Sequence, residues 1–121
     1  MNILLVDDDQ TSREAFASML RMQGYGVDEA VDGYEGFATF ETYHTDMIIT
    51  DCEMPTLDGI ELITEIRREG HLIPIIAMSG SIANMRPMMD AGATCFLLKP
   101  VNFNDLLACI TLQAGKARAK V

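Results

Sequence analysis

Five short strand-like runs divide the chain, and a polar residue directly follows all of them except the second. Four are largely apolar and the second is weaker; they are Asn2–Val6, Gly26–Ala30, Met47–Thr50, Ile73–Met78 and Cys95–Leu98. Short apolar runs bounded by polar turns are typical of strands buried on both faces of a sheet. Between these runs, apolar residues recur every three or four positions, which predicts amphipathic helices. The pattern therefore predicts an alternation of strands and helices along the whole chain.

The first and third helices carry the clearest start signals. The first is expected at about Thr11–Gln23, where Thr11 and Glu14 have the spacing of a capping box and Gly24 follows the last turn. The third is expected to begin at an Asp58 cap and to continue through Arg68, with Glu61 at the reciprocal capping position. Both segments are therefore predicted as complete amphipathic helices.

The other three helices are placed mainly by their apolar spacing. The second is expected at about Tyr34–Tyr43, and the fifth after an Asn102 cap. The fourth contains Pro87, which cannot donate a backbone hydrogen bond inside a helix. We therefore expect the fourth helix to start near residues 84–86 or to have an irregular first turn.

Strands that alternate with helices predict an α/β fold, a doubly wound parallel sheet covered on both faces. With 121 residues, of which 49% are hydrophobic, one domain covering residues 1–121 is the natural reading. We expect the strand order 2-1-3-4-5. Ligands bind such sheets at the carboxyl ends of the strands, where the strand order reverses. The expected site therefore lies between the first and third strands.

Acidic residues are placed to meet at this point. Asp7 and Asp8 follow the first strand, and Asp51 ends the third. Three carboxylates in one cleft repel each other unless a cation joins them, and hard oxygen ligands suit Mg²⁺. The sequence therefore predicts a magnesium site, with the backbone carbonyl of Glu53 as a further ligand.

Two more polar residues follow neighbouring strands and suggest phosphoryl transfer. Ser79 comes after the fourth strand and Lys99 after the fifth. Phosphoryl transfer needs alignment and charge neutralisation, which a lysine, a hydroxyl and a metal ion can supply. Asp51 would be the nucleophile and would become an acyl phosphate.

At this point the chain resembles the response-regulator receiver domains of two-component signalling, which are CheY-like and have a five-stranded (βα)5 flavodoxin-like fold. The resemblance runs from end to end. The motifs that carry it are Val6-Asp7-Asp8, Asp51-x-x-Met54-Pro55-x-x-Asp58-Gly59, Ser79-Gly80, and Ala91-Gly92-Ala93 leading to Lys99-Pro100.

The resemblance implies a phospho-accepting switch. Asp51 would take a phosphoryl group from a sensor histidine kinase or a histidine phosphotransfer protein, with Mg²⁺, and the domain would catalyse only its own phosphorylation and dephosphorylation. Ser79 and Phe96 match the switch positions. A surface formed by the fourth helix, fifth strand and fifth helix would meet a downstream protein target. The resemblance also implies a cis peptide bond at Lys99-Pro100 and a bacterial phosphorelay protein.

Further residues are candidates for smaller roles in such a domain. The side chains of Glu53 and Ser81 match positions that face the phosphoryl group, and we expect them to tune its lifetime. The fourth helix carries several methionines at helical spacing, which is typical of core residues. The alternative is an adaptable contact surface, for which exposed Met88 or Met89 are the candidates. We expect no effector domain within this sequence, and both a stand-alone receiver and a receiver cut from a longer protein stay open.

Two alternatives are open on the residues themselves. The run from Leu5 to Thr11 also fits a haloacid-dehalogenase-like phosphatase, with Asp7 as nucleophile and Asp9 as general acid. That reading leaves Asp51 unexplained, and after Lys99 the chain contains Asp105 as its remaining acidic residue. The second alternative is an unphosphorylated, receiver-like interaction module, but such modules typically lack one of the groups that are present here.

Charge, hydropathy and cysteine content limit the expected binding partners and the expected cellular compartment. A net charge of −9 argues against direct nucleic-acid binding. No apolar run approaches the ~20 residues of a membrane span, and the first residues lack the basic region of a signal peptide. Cys52, Cys95 and Cys109 are odd in number and lack metal-like spacing, so we expect small buried residues rather than a disulfide framework. A cytoplasmic protein is expected.

Overall fold

The computed structural model describes residues 1–119, with side chains described through residue 116. Strands and helices alternate along this part of the chain, as predicted. In chain order they are β1 (Asn2–Val6), α1 (Gln10–Met22), β2 (Gly26–Ala30), α2 (Gly33–Thr42), β3 (Met47–Asp51), α3 (Gly59–Arg68), β4 (Ile75–Ser79), α4 (Met85–Ala91), β5 (Cys95–Leu98) and α5 (Phe103–Ala119), with a 3₁₀ turn at Ile82–Asn84 before α4.

The five strands of the described residues form one parallel sheet in the order β2-β1-β3-β4-β5. The predicted fold class and strand order are therefore confirmed. Every residue of β3 and β4 is buried, because helices cover both faces of a parallel sheet. This double burial is why the two strands read as nearly continuous apolar runs.

Alternate residues of each strand pack on opposite faces of the sheet. Leu4 and Ile48 belong to a core that they share with α3 and α4. Ile3 and Ile49 belong to a second core that they share with α1 and α5. Each fully buried side chain of this size stabilises the fold by about 1.5–3 kcal/mol. The sheet is thus held rigidly from both sides, and polar groups at its edge are fixed in place.

The start of α1 differs from the prediction. Its cap is Asp9, whose side chain accepts a hydrogen bond from the backbone N–H of Ser12 at 3.3 Å. The expected capping box of Thr11 and Glu14 is therefore wrong, because an earlier residue in the same turn already takes the cap position. The expected end is confirmed, since Gly24 follows the helix with a φ of 94°.

The start of α3 agrees with the prediction in both capping contacts. The Asp58 side chain accepts from the backbone N–H of Glu61 at 2.9 Å, and the Glu61 side chain accepts from that of Asp58 at 3.2 Å. The start of α4 is irregular, as expected. A 3₁₀ turn precedes the helix, and Pro87 lies in the first turn, where its missing N–H costs little.

Cys95 and Cys109 lie closer together than the sequence suggested. Their sulfur atoms are in contact within the core beneath α5, with the two Cα atoms 7.4 Å apart. That separation exceeds the 4.4–6.8 Å usual for a disulfide-bonded pair. They are therefore neighbouring sulfur atoms in an apolar environment.

Across the described residues, no helix is long and apolar enough to cross a bilayer.

Candidate functional site

The site lies at the carboxyl-terminal edge of the sheet, between β1 and β3. Asp7 follows β1 directly, and Asp51 is the last residue of β3. Ser79 is the last residue of β4, and Lys99 follows β5. The strand order brings together four residues that lie far apart in sequence, as the sequence analysis predicted.

Three carboxylates form an acidic cluster. One oxygen from each of Asp7, Asp8 and Asp51 lies within 4.8 Å of the others. Asp7 is fully buried and Asp51 is 6% exposed. The Oδ1 atom of Asp7 accepts a hydrogen bond from the backbone N–H of Asp9 at 2.9 Å, whereas its buried Oδ2 atom has no hydrogen-bond partner.

The orphaned oxygen tests whether the cluster fits a metal ion. A buried carboxylate oxygen without a partner is costly, and a cation bound between the three carboxylates would satisfy it. The donor set consists of hard oxygen atoms with one exposed side, which suits Mg²⁺ with its retained water ligands. The residues present therefore fit the metal that the sequence predicted.

The side chain of Lys99 contacts this cluster. Its Nζ atom lies 3.0 Å from Oδ2 of Asp51 and 3.9 Å from Oδ2 of Asp7. Its backbone N–H donates to the carbonyl of Ser79 at 2.8 Å. The peptide bond between Lys99 and Pro100 is cis, as the resemblance implied. A cationic group is thus held directly against the Asp51 carboxylate.

The ionisation of the three charged groups is coupled. Burial raises the pKa of Asp51 and that of Asp7, although Lys99 acts in the opposite direction on both. For Lys99, burial alone would lower the pKa, but the hydrogen bond and charge of Asp51 outweigh it, with help from Asp7 and Asp8, and the net pKa is raised. Lys99 therefore remains a cation at neutral pH.

Ser79 is fully buried, and its hydroxyl group makes three hydrogen bonds. It donates to Oε1 of Glu53 at 3.3 Å, and it accepts from the backbone N–H of Ser81 at 3.0 Å. It also accepts from the side-chain amide of Asn84 at 2.9 Å. The hydroxyl of Ser81 accepts from the backbone N–H of Ala83 at 3.3 Å and so caps the 3₁₀ turn.

Asn84 is a site residue that the sequence analysis missed. Its amide contacts both Glu53 and Ser79. A weak signal was available, because Asn84 precedes α4 at a position where Asn commonly caps a helix, yet here it makes no capping hydrogen bond. The spacing gave no indication of the partner, since Glu53 is 31 positions away.

The loop after Asp51 is fitted closely to the next helix. The backbone N–H of Gly59 donates to the carbonyl of Cys52 at 2.8 Å. A Cβ atom on Gly59 would meet the Cα of Cys52 at 2.9 Å and the carbonyl carbon of Asp51 at 3.1 Å. Glycine at this position therefore allows the start of α3 to pack against the backbone of the acidic residue.

Cys52 lies beside the acidic cluster but is unsuited to thiolate chemistry. It is 4% exposed. Burial and the charges of Asp58, Glu53 and Asp51 raise the pKa of its thiol to about 11. The thiol therefore stays protonated at neutral pH and acts as a packing residue.

Phe96 is half-buried and packs against the core beneath α3 and α4. The structure shows one position of its ring, and its switch role stays a prediction.

The expectation for the methionines of α4 needs correction. Met88 is fully buried in the core, whereas Met85 and Met89 are 42% and 39% exposed. Met88 lies on the inner side of α4, so the expectation that it contacts a partner is wrong. Met89 remains a candidate contact residue.

The phosphatase alternative finds no support in this arrangement. The Asp9 side chain caps α1, and hydrogen bonds from Ser12 lower its pKa. A general acid at neutral pH requires the opposite shift. Asp9 is therefore held as a carboxylate, while Asp51 lies against Lys99.

An acidic cluster, a lysine and a buried hydroxyl thus lie together at the strand ends of a parallel sheet, which is the edge where such sheets bind ligands. The family model described as "Response regulator receiver domain" matches residues 3–111. The chain therefore belongs to the response-regulator receiver domain family.

The relatives are of the same kind. The chain is 36% identical over 110 residues to "Response regulator MprA" of Mycobacterium avium, covering 89% of this chain and 48% of that protein. A similar match, 37% identical over 112 residues, is to the protein of that name from Mycobacterium leprae, with 91% and 49% covered. This chain thus spans about half the length of these curated relatives.

The fold of the chain is also similar to solved structures of response regulators. A CheY-like response regulator receiver domain protein from Methanospirillum hungatei superimposes with a TM-score of 0.93 at 29% identity, covering 99% of this chain and 98% of that one. Response regulator TrrA from Thermotoga maritima, solved in complex with Mg²⁺ and BeF, gives 0.85 at 29% identity, with 93% and 97% covered.

Proposed function

We propose that Asp51 accepts a phosphoryl group from a phosphohistidine on a sensor histidine kinase or histidine phosphotransfer protein, in a Mg²⁺-dependent reaction. The observation that carries the proposal is the position of the Asp51 carboxylate. It lies 3.0 Å from the Lys99 ammonium group and within 4.8 Å of carboxylate oxygens of Asp7 and Asp8. A receiver domain uses such a residue as its phosphate acceptor.

Asp51 is positioned for this reaction by its neighbours. The backbone N–H of Cys52 donates to Oδ1 at 2.9 Å, which fixes the plane of the carboxylate. A bond forms between a carboxylate oxygen and phosphorus while the bond from phosphorus to the histidine nitrogen breaks. The released ring nitrogen takes up a proton from water. Alignment of the two reacting atoms supplies much of the rate enhancement.

Lys99 neutralises charge that the incoming group would otherwise add to an acidic site. Asp7, Asp8, Asp51 and the backbone carbonyl of Glu53 would hold Mg²⁺, which when bound neutralises charge on the carboxylates and the phosphoryl oxygens. The Lys99 ammonium group is held within reach of the same oxygens. The domain would catalyse only its own phosphorylation and dephosphorylation.

The output would be a change of protein contacts. Ser79 would donate its hydroxyl hydrogen bond to a phosphoryl oxygen, and Phe96 would turn further inward behind it. The surface of α4, β5 and α5 would then meet a downstream protein target. Ile82, Met85, Met89 and Leu98 supply exposed apolar area on this side of the molecule, which suits adaptable contact with a partner.

The Glu53 side chain would set the lifetime of the phosphoryl group. It is exposed, and it contacts Ser79. Its charge would repel the phosphoryl oxygens or orient an attacking water molecule. Ser81 would act more weakly, because its hydroxyl is engaged in capping the 3₁₀ turn.

The test is intact mass after incubation with acetyl phosphate, with and without Mg²⁺. The wild type should gain one phosphoryl group when Mg²⁺ is present, and Asp51→Asn should gain none. Asp90→Asn is the matched control, because Asp90 is exposed on α4 away from the cluster, and it should behave as wild type. If the wild type gains no adduct and also fails to bind beryllofluoride, the domain is an unphosphorylated interaction module and the proposal is wrong.

A further inference from the structure

Asn84 lies at the position before the first residue of α4, but its side chain does not cap this helix. It ends the 3₁₀ turn and precedes the first residue of α4. Asn at this position ordinarily accepts a hydrogen bond from a backbone N–H in the first turn, yet its side chain makes no capping contact. The amide is instead directed away from α4, towards the β3–α3 loop and the end of β4.

Two short hydrogen bonds fix the amide in this position. Its Nδ2 atom lies 2.7 Å from Oε1 of Glu53 and 2.9 Å from Oγ of Ser79. The amide nitrogen, and not the amide oxygen, lies against Glu53, because an amide oxygen cannot donate a hydrogen bond to a carboxylate oxygen. The NH₂ group of Asn84 therefore faces both partners and joins them.

The Ser79 hydroxyl has no hydrogen-bonding capacity left in this arrangement. A hydroxyl has one donor and two acceptor positions. Ser79 donates to Glu53 and accepts from Asn84 and from the Ser81 backbone. To donate to any other acceptor, it has to give up Glu53. Asn84 stabilises the present arrangement because it holds the Glu53 carboxylate beside Ser79.

We infer that Asn84 is a positioning residue that latches Ser79 and Glu53 together in the resting state and thereby opposes occupation of the phosphoryl site. The inference rests on the proposed function and deepens it. A phosphoryl group on Asp51 would compete for the single Ser79 donor, so the latch has to open when the group binds. Opening releases Asn84, and Asn84 connects the site to the start of α4.

The same contact gives the site a route to the partner surface. Ile82 and Met85 lie two positions before and one position after Asn84, and they are 61% and 42% exposed. Because the hydrogen bonds of Asn84 hold the turn between these residues against the β3–α3 loop, release of the amide frees the turn to move. The latch thus couples the state of Ser79 to exposed apolar side chains.

The test is titration with beryllofluoride in the presence of Mg²⁺, followed by the amide NMR signal of Ser81. This N–H donates to Ser79 Oγ in the resting state and therefore reports movement of the hydroxyl. Asn84→Ala should bind beryllofluoride more tightly by about threefold to tenfold, the equilibrium factor that corresponds to one net hydrogen bond. Asn84→Leu, which fills the space without an amide, should show the same gain.

Asn104→Ala is the matched control, since Asn104 is exposed near the start of α5, and its affinity should equal that of wild type. Glu53→Ala should also tighten binding. Because both partners belong to one latch, the double variant of Asn84→Ala and Glu53→Ala should gain less than the product of the two single effects. Independent, multiplicative effects would overturn the inference.

Thermal unfolding without ligand separates a latch from a merely structural contact. A structural role would lower the unfolding temperature of Asn84→Ala and leave the beryllofluoride affinity unchanged or weaker, and that result overturns the latch alone. Failure of the wild type to bind beryllofluoride with Mg²⁺ would overturn the proposed function, and with it the latch. Tighter binding by both Asn84 variants, with Asn104→Ala unchanged, would support it.

Discussion

At the scale of one residue, Asp7 is the side chain of the acidic cluster whose burial costs the fold most clearly. The side chain is fully buried, and its Oδ2 atom has no hydrogen-bond partner. Burial raises its pKa, and the charges of Asp8 and Asp9 act in the same direction. A carboxylate in this place is unfavourable for folding and favourable for binding a cation. A cation bound at this position would remove the cost of the buried charge.

Asp7→Asn should increase the free energy of unfolding in the absence of metal. Asparagine keeps the shape of the side chain and can still accept the hydrogen bond from the Asp9 backbone, but it carries no buried charge. We expect a gain of about 1 kcal/mol, a typical size for a stabilising substitution at a site shaped for function. Urea unfolding at neutral pH measures it, and Mg²⁺-dependent phosphorylation should be lost in the same variant.

The pH dependence of this gain follows from the sign of the pKa shift. Because folding raises the pKa of Asp7, ionisation opposes folding, and the stability that wild type has at low pH is lost as the pH rises through the raised pKa. The advantage of Asp7→Asn should therefore be largest at neutral pH. It should vanish below the ordinary Asp pKa of about 3.9. A gain that is constant with pH would contradict the charge explanation.

At the scale of elements, the β3–α3 connection fixes the acceptor. The capping box of Asp58 and Glu61 determines where α3 begins, and Gly59 brings that start against the backbone of Asp51 and Cys52. Loop and helix therefore hold the acidic residue at a defined depth. The Asp58-Gly59 pair is part of the family motif, and packing explains both residues: Asp58 caps α3, and Gly59 leaves room for the backbone of Asp51 and Cys52.

Gly59→Ala should destabilise the domain and slow phosphorylation of Asp51. The added methyl group would meet backbone atoms on the opposite side, at 2.9 Å from the Cα of Cys52, and backbone cannot yield as a flexible side chain can. We expect a loss of about 1–3 kcal/mol, as for other overpacked sites. Urea unfolding gives the stability, and intact mass over time gives the phosphorylation rate.

Gly115→Ala is the matched control for the same substitution. A Cβ at Gly115 meets nothing within 4 Å, and the residue lies in α5. Alanine should stabilise this helix by up to about 1 kcal/mol and leave the phosphorylation rate unaltered. Equal stability changes in the two variants would show that the close approach at Gly59 has no energetic consequence.

At the scale of the whole molecule, the sheet assembles a site that no single segment contains. Residues from the loop after β1, from the end of β3 and from the loop after β5 supply the carboxylates and the ammonium group. A ligand that joins these groups therefore binds the folded chain and has little affinity for the unfolded one. Binding and global stability are linked by mass action.

Addition of Mg²⁺ should accordingly raise the unfolding temperature of the wild type. At a concentration ten times the dissociation constant, the stabilisation amounts to about 1.4 kcal/mol. Removal of the ion with a chelator should reverse it, and differential scanning calorimetry measures both. Asp7→Asn should respond much less, because it lacks one carboxylate of the cluster. An equal response in this variant would place the bound ion elsewhere.

The elements differ in how far their local sequence determined them. The capping box of α3 was predictable because both of its contacts join residues three positions apart. The start of α1 was not, because Asp9 and Thr11 are both competent caps within one turn, and the position of the first turn against the sheet decides between them. The contact of Cys95 with Cys109 likewise depends on how α5 packs on β5.

The sequence by itself determined the alternation of strands and helices, the parallel sheet and the set of residues at its edge. These follow from periodicity and from short-range signals, because both faces of a parallel sheet have to be apolar. Only the tertiary structure decided the distance from Lys99 to Asp51, the orphaned oxygen of Asp7 and the junction of Asn84 with Glu53 and Ser79. These depend on the packing of segments far apart in the chain, and local spacing carries no record of such contacts.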